Sequence, residues 1–297
     1  MIGSMKNKDL KPIWISMRPK HWIKNGLVLV PVLFAGKLLS LGHFFEALFA
    51  FGVFCILSGA NYLINDVYDA EADRKHPTKL YRPVANGILA PKKALSAGFA
   101  FGAIALLASL ALGFKFFLLV LTFYLLNIAY TLWLREIVIV DVFSIAATFV
   151  IRVIAGAWAV HVPMSSWLII CTLLLSLFLG LSKRSIELKV LQEVASDHRY
   201  TLQEYSGYLL DQMMAVITSA ILIAYTLYTM SEQTVEKIGG TALVYTVPFV
   251  LYGIFRYLYL IHQRSGEITL ERALVNDKPM LINLGFYLLV VVWAIYF

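Results

Sequence analysis

The feature that most restricts what this chain can become is a series of long apolar runs. Nine stretches, at about 25–42, 44–68, 94–113, 115–134, 138–160, 164–182, 207–229, 241–261 and 279–297, approach the roughly 20 mostly apolar residues that a helix needs to cross a bilayer. Several carry Gly or Pro, which membrane helices tolerate because neighbouring groups re-satisfy the freed backbone. The expectation is an all-α polytopic membrane bundle of about nine transmembrane helices. It forms one integral-membrane domain over 1–297, with residues 1–21 as an N-terminal arm. The first run is not expected to be a cleaved leader. It lacks a small-residue cleavage site and ends in Gly36-Lys37 before another span.

Composition removes the main alternatives. The chain is 60% hydrophobic and only 14% charged, whereas soluble domains carry roughly 45–50% and about 25%. An aromatic content of 14% is far from that of a disordered chain. Cys55 and Cys171 both lie inside apolar runs, where a thiol is a small hydrophobe and not part of a disulfide scaffold.

The placement of charge predicts orientation. Lys6, Lys8, Lys11, Arg18, Lys20 and Lys24 precede the first run, and a dense basic group at 74–93 follows the second. With Arg135, the Lys183–Arg199 segment and Arg256, Arg264, Arg272 and Lys278, 21 basic residues fall on one side; only Lys37, Lys115 and Lys237 fall on the other. The positive-inside rule then predicts a cytoplasmic N-terminus in a multi-pass cell (inner) membrane protein. The net charge of +7 is absorbed by topology, so nucleic acid is not an expected partner. Trp14, Trp22 and Trp133 read as interface aromatics. The outer loops are short and nearly featureless, and the acidic residues gather on the cytoplasmic side, where function is expected.

The second run ends in Asn65-Asp66-x-x-Asp69-x-x-x-Asp73. On a continuing helix Asn65, Asp69 and Asp73 are spaced i, i+4, i+8 and drift only about 80° around the axis, with Asp66 on the same flank. Carboxylates at a membrane boundary are costly unless paired or facing a cavity, which makes the cluster a functional candidate. Hard oxygen ligands suit Mg²⁺, which bridges one or two carboxylates to phosphate groups. Arg74, Lys75, His76, Lys79 and Arg82 follow within nine residues. Metal carboxylates beside phosphate-binding cations point to a diphosphate site.

That motif resembles the N-D-x-x-D-x-x-x-D signature of the UbiA superfamily of intramembrane prenyltransferases. Arg74-x-His76-Pro77-x-Lys79-x-x-Arg82-Pro83-x-Ala85-x-Gly87 and Arg18-Pro19-x-x-Trp22-x-Lys24-Asn25 are similar to the branch that contains decaprenyl-phosphate phosphoribosyltransferases. The resemblance implies a Mg²⁺-dependent transferase acting on phosphoribosyl diphosphate and a polyprenyl phosphate, with diphosphate as leaving group. It implies Asn65, Asp66, Asp69 and Asp73 at the metal. Lys79 and Arg82 would hold the diphosphate or the 5-phosphate, assisted by Lys24 and Arg74. The alternative is transfer of an isoprenyl group to an aromatic or other small acceptor. A homo-oligomer is compatible with the sequence.

Further polar residues lie where lipid cannot solvate them. Tyr130 and Arg135 resemble, with the basic residue one position late, a Tyr-x-x-x-Lys-type element of the superfamily. Asp141 and Arg152 share a helix face but stand about 16 Å apart along it, too far to pair; Arg152 either satisfies backbone carbonyls or binds substrate. Typical aromatic prenyltransferases carry a second D-x-x-x-D motif after the sixth span. Here Glu187 and Asp197 are isolated, and the segment opens with Lys183-Arg184, which either flank the span or hold a lipid phosphate. Asp277 is either an N-cap or a ribose-hydroxyl partner. Zinc, P-loop, nucleophile-elbow and dinucleotide signatures are absent from the sequence. A transporter is disfavoured, because no internal repeat is evident and the charges sit at one face.

Overall fold

The structure is a computed structural model that describes residues 7–76, 78–193, 204–263 and 276–296. Lys6, Pro77, Asp197, His198, Arg199, Arg264 and Arg272 lie outside the described residues. Among the described residues, eight helices are long and apolar enough to cross a membrane, beginning with Leu41–Tyr68 and ending with Lys278–Tyr296. They coincide with eight of the nine apolar runs.

The first run is built differently. Residues Pro19–Leu29 form a 3₁₀ helix that passes directly into a short α-helix, α2, at Val30–Phe34. Two sequence features account for this. Pro31 has no N–H, a lack that does no harm in the first turn of α2. Asn25 is buried and held by polar partners on other helices, so the face that carries Asn25, Val28 and Val32 packs inside protein while Ile23 stays exposed. Because a 3₁₀ helix rises about 2.0 Å per residue, the two segments together carry about 30 Å of helical rise.

The chain divides into two compact units, Met1–Leu134 with Ile151–Pro163, and Arg135–Val150 with Met164–Phe297. Helix α7, Val140–Ala159, therefore contributes its first half to one unit and its second half to the other.

In the first unit α1 (Asn7–Ser16) precedes the 3₁₀ segment, and α3 (Leu41–Tyr68) is the central element. It leads into α4 (Ala70–Lys75) and packs on α5 (Pro91–Ser109) and α6 (Phe114–Leu132). Small residues set the helix spacing, as expected where lipid gives no hydrophobic drive for association. A Cβ on Gly98 would lie 2.9 Å from Ile64 Cγ1 and 3.1 Å from the Ala60 carbonyl, and one on Gly156 would lie 2.1 Å from the Val28 carbonyl. The interior is filled by Phe54, edge-on to Phe116 and Phe123.

In the second unit α8 (Ser166–Glu193), α9 (Gly207–Met230), α11 (Val247–Gln263) and α12 (Lys278–Tyr296) pack around Phe178, Ile221, Ile254 and Tyr257, with the short α10 (Glu232–Ile238) after α9. Gly180 sits against Val142, where a Cβ would come within 2.7 Å. Phe99, Leu107, Val216 and Leu289 are largely exposed while Ser58, Thr148, Thr172 and Ser176 are buried. Apolar surface outside with small polar groups inside suits lipid as the solvent.

Candidate active site

The acidic motif keeps its helical register across the end of α3. Asp69 caps α3 and starts α4, yet its N–H still bonds the Asn65 carbonyl at 2.9 Å and its own carbonyl accepts from Asp73 N–H at 2.8 Å. The side chains thus emerge as the i, i+4, i+8 spacing requires. Asn65 Nδ2 donates to Asp69 Oδ2 at 2.9 Å, and Asn65 Oδ1 accepts from Thr131 Oγ1 of α6 at 3.2 Å. The carboxamide is thereby turned with its oxygen toward α6 and its nitrogen toward the next carboxylate.

Asp66 and Asp73 are buried, at 1% and 4% exposure. Both face Arg82: Nη1 lies 2.5 Å from Asp73 Oδ2 and 3.6 Å from Asp66 Oδ1, which brings the two carboxylate oxygens within about 6 Å of each other. Asp66 Oδ1 also receives Arg18 Nη2, and the Arg18 guanidinium lies over the Tyr62 ring, 4.7 Å from its centroid. Two acids and two guanidinium groups therefore alternate along one edge of α3 and α4. Arg82 reaches its place because Arg74 Nε donates to the Ala85 carbonyl at 3.0 Å, tying the loop that follows back to α4. Lys24 on the 3₁₀ segment and Lys79 at the start of the short 3₁₀ turn Lys79–Tyr81 are half-buried in the same unit.

Sequence reasoning missed Arg18 and Tyr62 as members of this group. Arg18 lies 48 residues from Asp66, and no local spacing connects them. The available signal was the Arg18-Pro19-x-x-Trp22-x-Lys24-Asn25 pattern itself; Arg18 takes a left-handed conformation (φ 52°, ψ 62°) at the join between α1 and the 3₁₀ segment.

Among the described residues no three His, Cys, Asp or Glu side chains converge as a ready-made metal cage. The carboxylates nevertheless fit Mg²⁺. Asp69 and Asp73 offer hard oxygens, and Mg²⁺ takes one or two carboxylates and completes its shell with water and phosphate oxygens. Asn65 presents Nδ2 to Asp69 and would become a ligand only with its carboxamide turned to bring Oδ1 round from Thr131.

The remaining candidates form separate groups. Arg152, buried in the second half of α7, donates from Nε to Asn25 Oδ1 at 2.8 Å and lies over the Phe123 ring; Ser58 Oγ donates to the same Asn25 oxygen at 3.2 Å. Asn25 and Phe123 both lie within the protein interior, and the Arg152–Asn25 bond anchors the 3₁₀ segment. Tyr130 is half-buried in the last turn of α6, and Arg135 is half-buried in the short 3₁₀ turn Leu134–Glu136.

In the second unit Arg184 departs from the expectation that it faces a lipid phosphate. Its side chain is fully buried, Nε donates to Asp141 Oδ2 at 2.6 Å, and Nη1 bonds Glu187. With two carboxylates on its guanidinium, its evident work is to join α7 to α8. Tyr205 OH donates to Asp141 Oδ1 at 2.9 Å and accepts from Ile139 N–H at 2.8 Å. Burial pushes that hydroxyl up to about 12; the Asp141 carboxylate adds to the shift and donation from Ile139 opposes it. Lys183 is different: its side chain is 57% exposed, with Glu187 at 3.9 Å. Asp277 acts as a cap, accepting from Met280 N–H at 3.0 Å at the start of α12, and it takes a two-pronged contact from Arg256 at 3.1 and 2.9 Å.

Known proteins carry the same arrangement of helices. A UbiA homologue from Archaeoglobus fulgidus, solved bound to GPP and Mg²⁺, superposes with a TM-score of 0.69 at 17% identity, covering 95% of this chain and 98% of that one. Decaprenyl-phosphate phosphoribosyltransferase of Corynebacterium glutamicum is 28% identical over 293 residues, 95% of this chain and 86% of that protein. The protein of that name from Mycolicibacterium smegmatis is 31% identical over 287 residues, 91% of this chain and 87% of its own length. The sequence profile of the UbiA prenyltransferase family matches residues 28–294. A helical membrane unit whose acidic motif continues across a helix end, matched over nearly its whole length, leaves one assignment: this chain belongs to the UbiA prenyltransferase family.

Proposed function

We propose that this enzyme transfers a 5-phosphoribosyl group from phosphoribosyl diphosphate to a polyprenyl phosphate of decaprenyl type, releasing diphosphate at the cytoplasmic face of the cell membrane. The observation that carries the reading is the alternation of Asp66 and Asp73 with Arg18 and Arg82 beside the Asn65–Asp69 pair. Carboxylates there are matched to a divalent cation, and the guanidinium forks are matched to phosphate oxygens. The relatives named as decaprenyl-phosphate phosphoribosyltransferases support the choice of sugar donor, because they align along most of their own length.

In this reading Asp69 and Asp73 would hold Mg²⁺ together with Asn65, its carboxamide turned to present Oδ1, and Arg82 and Lys79, assisted by Arg18, Lys24 and Arg74, would hold the phosphate groups of the donor. A bound Mg²⁺ would withdraw charge from the departing diphosphate, a stabilisation realised mainly in the transition state. An oxygen of the lipid phosphate forms a bond to C1 of the ribose. The C1–O bond to diphosphate breaks on the opposite side, and diphosphate leaves with the electron pair. No general base is needed, since a phosphate monoester is already ionised near neutral pH. Lys183 is assigned to the lipid phosphate, and burial of Arg184 with Asp141 and Glu187 leaves that residue a structural part. Asp277, engaged as a cap, is given no contact with ribose.

The deciding experiment supplies purified protein with phosphoribosyl diphosphate and a polyprenyl phosphate, and separately with a prenyl diphosphate and an aromatic acid. Mg²⁺-dependent diphosphate release with the first pair alone is expected. Release with the second pair alone would replace this reading by prenyl transfer to a small acceptor.

A further inference from the structure

Asp66 lies inside the acidic motif but faces different partners from its neighbours. Asn65 and Asp69 are bonded to each other, and Asn65 also to Thr131. Asp66 Oδ1 instead takes the Arg18 guanidinium and, at 3.6 Å, Arg82 Nη1, and its carboxylate is 1% exposed. Around the helix axis it is turned about 60° from Asp69 and about 100° from Asn65. Asp73 lies seven residues on, two turns along the same face, and the Arg82 guanidinium fills the interval between them. A divalent cation placed on Asp66 Oδ1 would stand against two guanidinium groups that already neutralise that oxygen, in surroundings where water screens little. Asp73 combines both neighbourhoods: Oδ2 takes Arg82, while its Cα continues the Asn65–Asp69 row.

We propose that Asp66 is a positioning residue for the diphosphate and not a ligand of the metal. It holds the Arg18 and Arg82 side chains together at one oxygen, so that their remaining N–H donors converge on the same anion. A guanidinium has five N–H donors in a rigid planar fork, so a carboxylate on one edge leaves the others available. Tyr62 beneath Arg18 fixes the plane of that fork. Without Asp66 two long side chains of like charge would have to be ordered by the anion itself, and the anion would bind more weakly while the metal ligands stayed intact. The inference rests on the site being a metal–diphosphate site.

The test uses full-length purified protein, Mn²⁺ followed by electron paramagnetic resonance with and without inorganic diphosphate, and diphosphate affinity measured by calorimetry at fixed Mn²⁺. Asp66→Asn is expected to keep Mn²⁺ affinity within about threefold of wild type while losing about tenfold or more in diphosphate affinity, the scale of a charge-assisted hydrogen bond. Asp69→Asn should show the reverse order of losses. Arg18→Gln, which needs no change inside the helix, should reproduce the Asp66→Asn pattern. The double variant should fall within about threefold of the weaker single, because both remove one contact. Loss of Mn²⁺ binding in Asp66→Asn to the extent seen in Asp69→Asn overturns the inference. So does an Arg18→Gln variant with unchanged diphosphate affinity, which keeps the test open if Asp66→Asn does not fold. Wild-type protein that takes up neither Mn²⁺ nor diphosphate would instead overturn the metal–diphosphate reading and the inference with it.

Discussion

Arg82 Nη1 stands 2.5 Å from Asp73 Oδ2, so a cation delivered by the loop after α4 closes the acidic end of the helix. That pairing stabilises a buried carboxylate in the absence of any other cation, and it leaves Asp69, one turn earlier, beside Asn65. Asp69→Ala and Asp73→Ala should each lower Mg²⁺-dependent diphosphate release by at least about 100-fold, since each removes charge stabilisation at the leaving group. Insertion and helix content should be retained, as checked by circular dichroism and size-exclusion elution. Full activity in either variant would remove the metal assignment.

The Arg184–Asp141 pair predicts a stability effect of a different kind. Both side chains are fully buried at 2.6 Å, so removing one partner leaves a buried charge with less support, Asp141 keeping Tyr205 OH and Arg184 keeping Glu187. Arg184→Met or Asp141→Leu alone should destabilise the protein by up to about 3–5 kcal/mol, and the double variant should lose less than the sum of the two, because only the Glu187 and Tyr205 contacts are then left unmade. Thermal unfolding in detergent, run on all three variants, measures it. Additive losses in the double variant would mean the two residues act independently.

Gly156 predicts a packing effect. A Cβ there would sit 2.1 Å from the Val28 carbonyl, backbone that cannot move aside like a side-chain tip. Gly156→Ala should destabilise by about 1–3 kcal/mol through overpacking. Gly52, also within a spanning helix, has nothing within 4 Å, and Gly52→Ala should be neutral or stabilising by under about 1 kcal/mol. Comparing the two unfolding midpoints separates close approach from glycine content.

Lys183→Ala addresses the division of roles among the cations. Its side chain is exposed, whereas Arg82 is three-quarters buried with Asp66 and Asp73. The variant should raise the KM for the polyprenyl phosphate several-fold, about the value of one charged hydrogen bond, and leave the KM for phosphoribosyl diphosphate within about twofold. Equal effects on both substrates would argue against assigning Lys183 to the lipid.

Much of this molecule was legible from spacing alone. Eight apolar runs became eight long helices because length and hydrophobicity are the whole requirement for a spanning helix. The acidic row was legible because the i, i+4 relationship survives the small break at Asp69. The irregular build of the first run was not legible, because hydropathy does not register a buried Asn25 or the partner it finds on α7, 127 residues away. The same limit concealed Arg18 and gave Arg184 too external a role: both are decided by a carboxylate more than 40 residues distant. Short-range pattern identifies the groups that make up a site, and long-range pairing decides which of them remain available to a ligand.

The left-handed backbone at Arg18 carries a consequence for variation at this position. Such a conformation is disfavoured by about 1–2 kcal/mol for a residue with a Cβ, and glycine would adopt it without that penalty. Glycine would also leave Asp66 without one of its two guanidinium partners. Local backbone preference and the needs of the anion therefore pull in opposite directions at a single residue. A search for stabilising substitutions that scored only the fit of each residue to its own φ and ψ would select glycine here, and would overlook both the buried Asp66 carboxylate it leaves with one guanidinium fewer and the weaker hold on diphosphate expected of the proposed site.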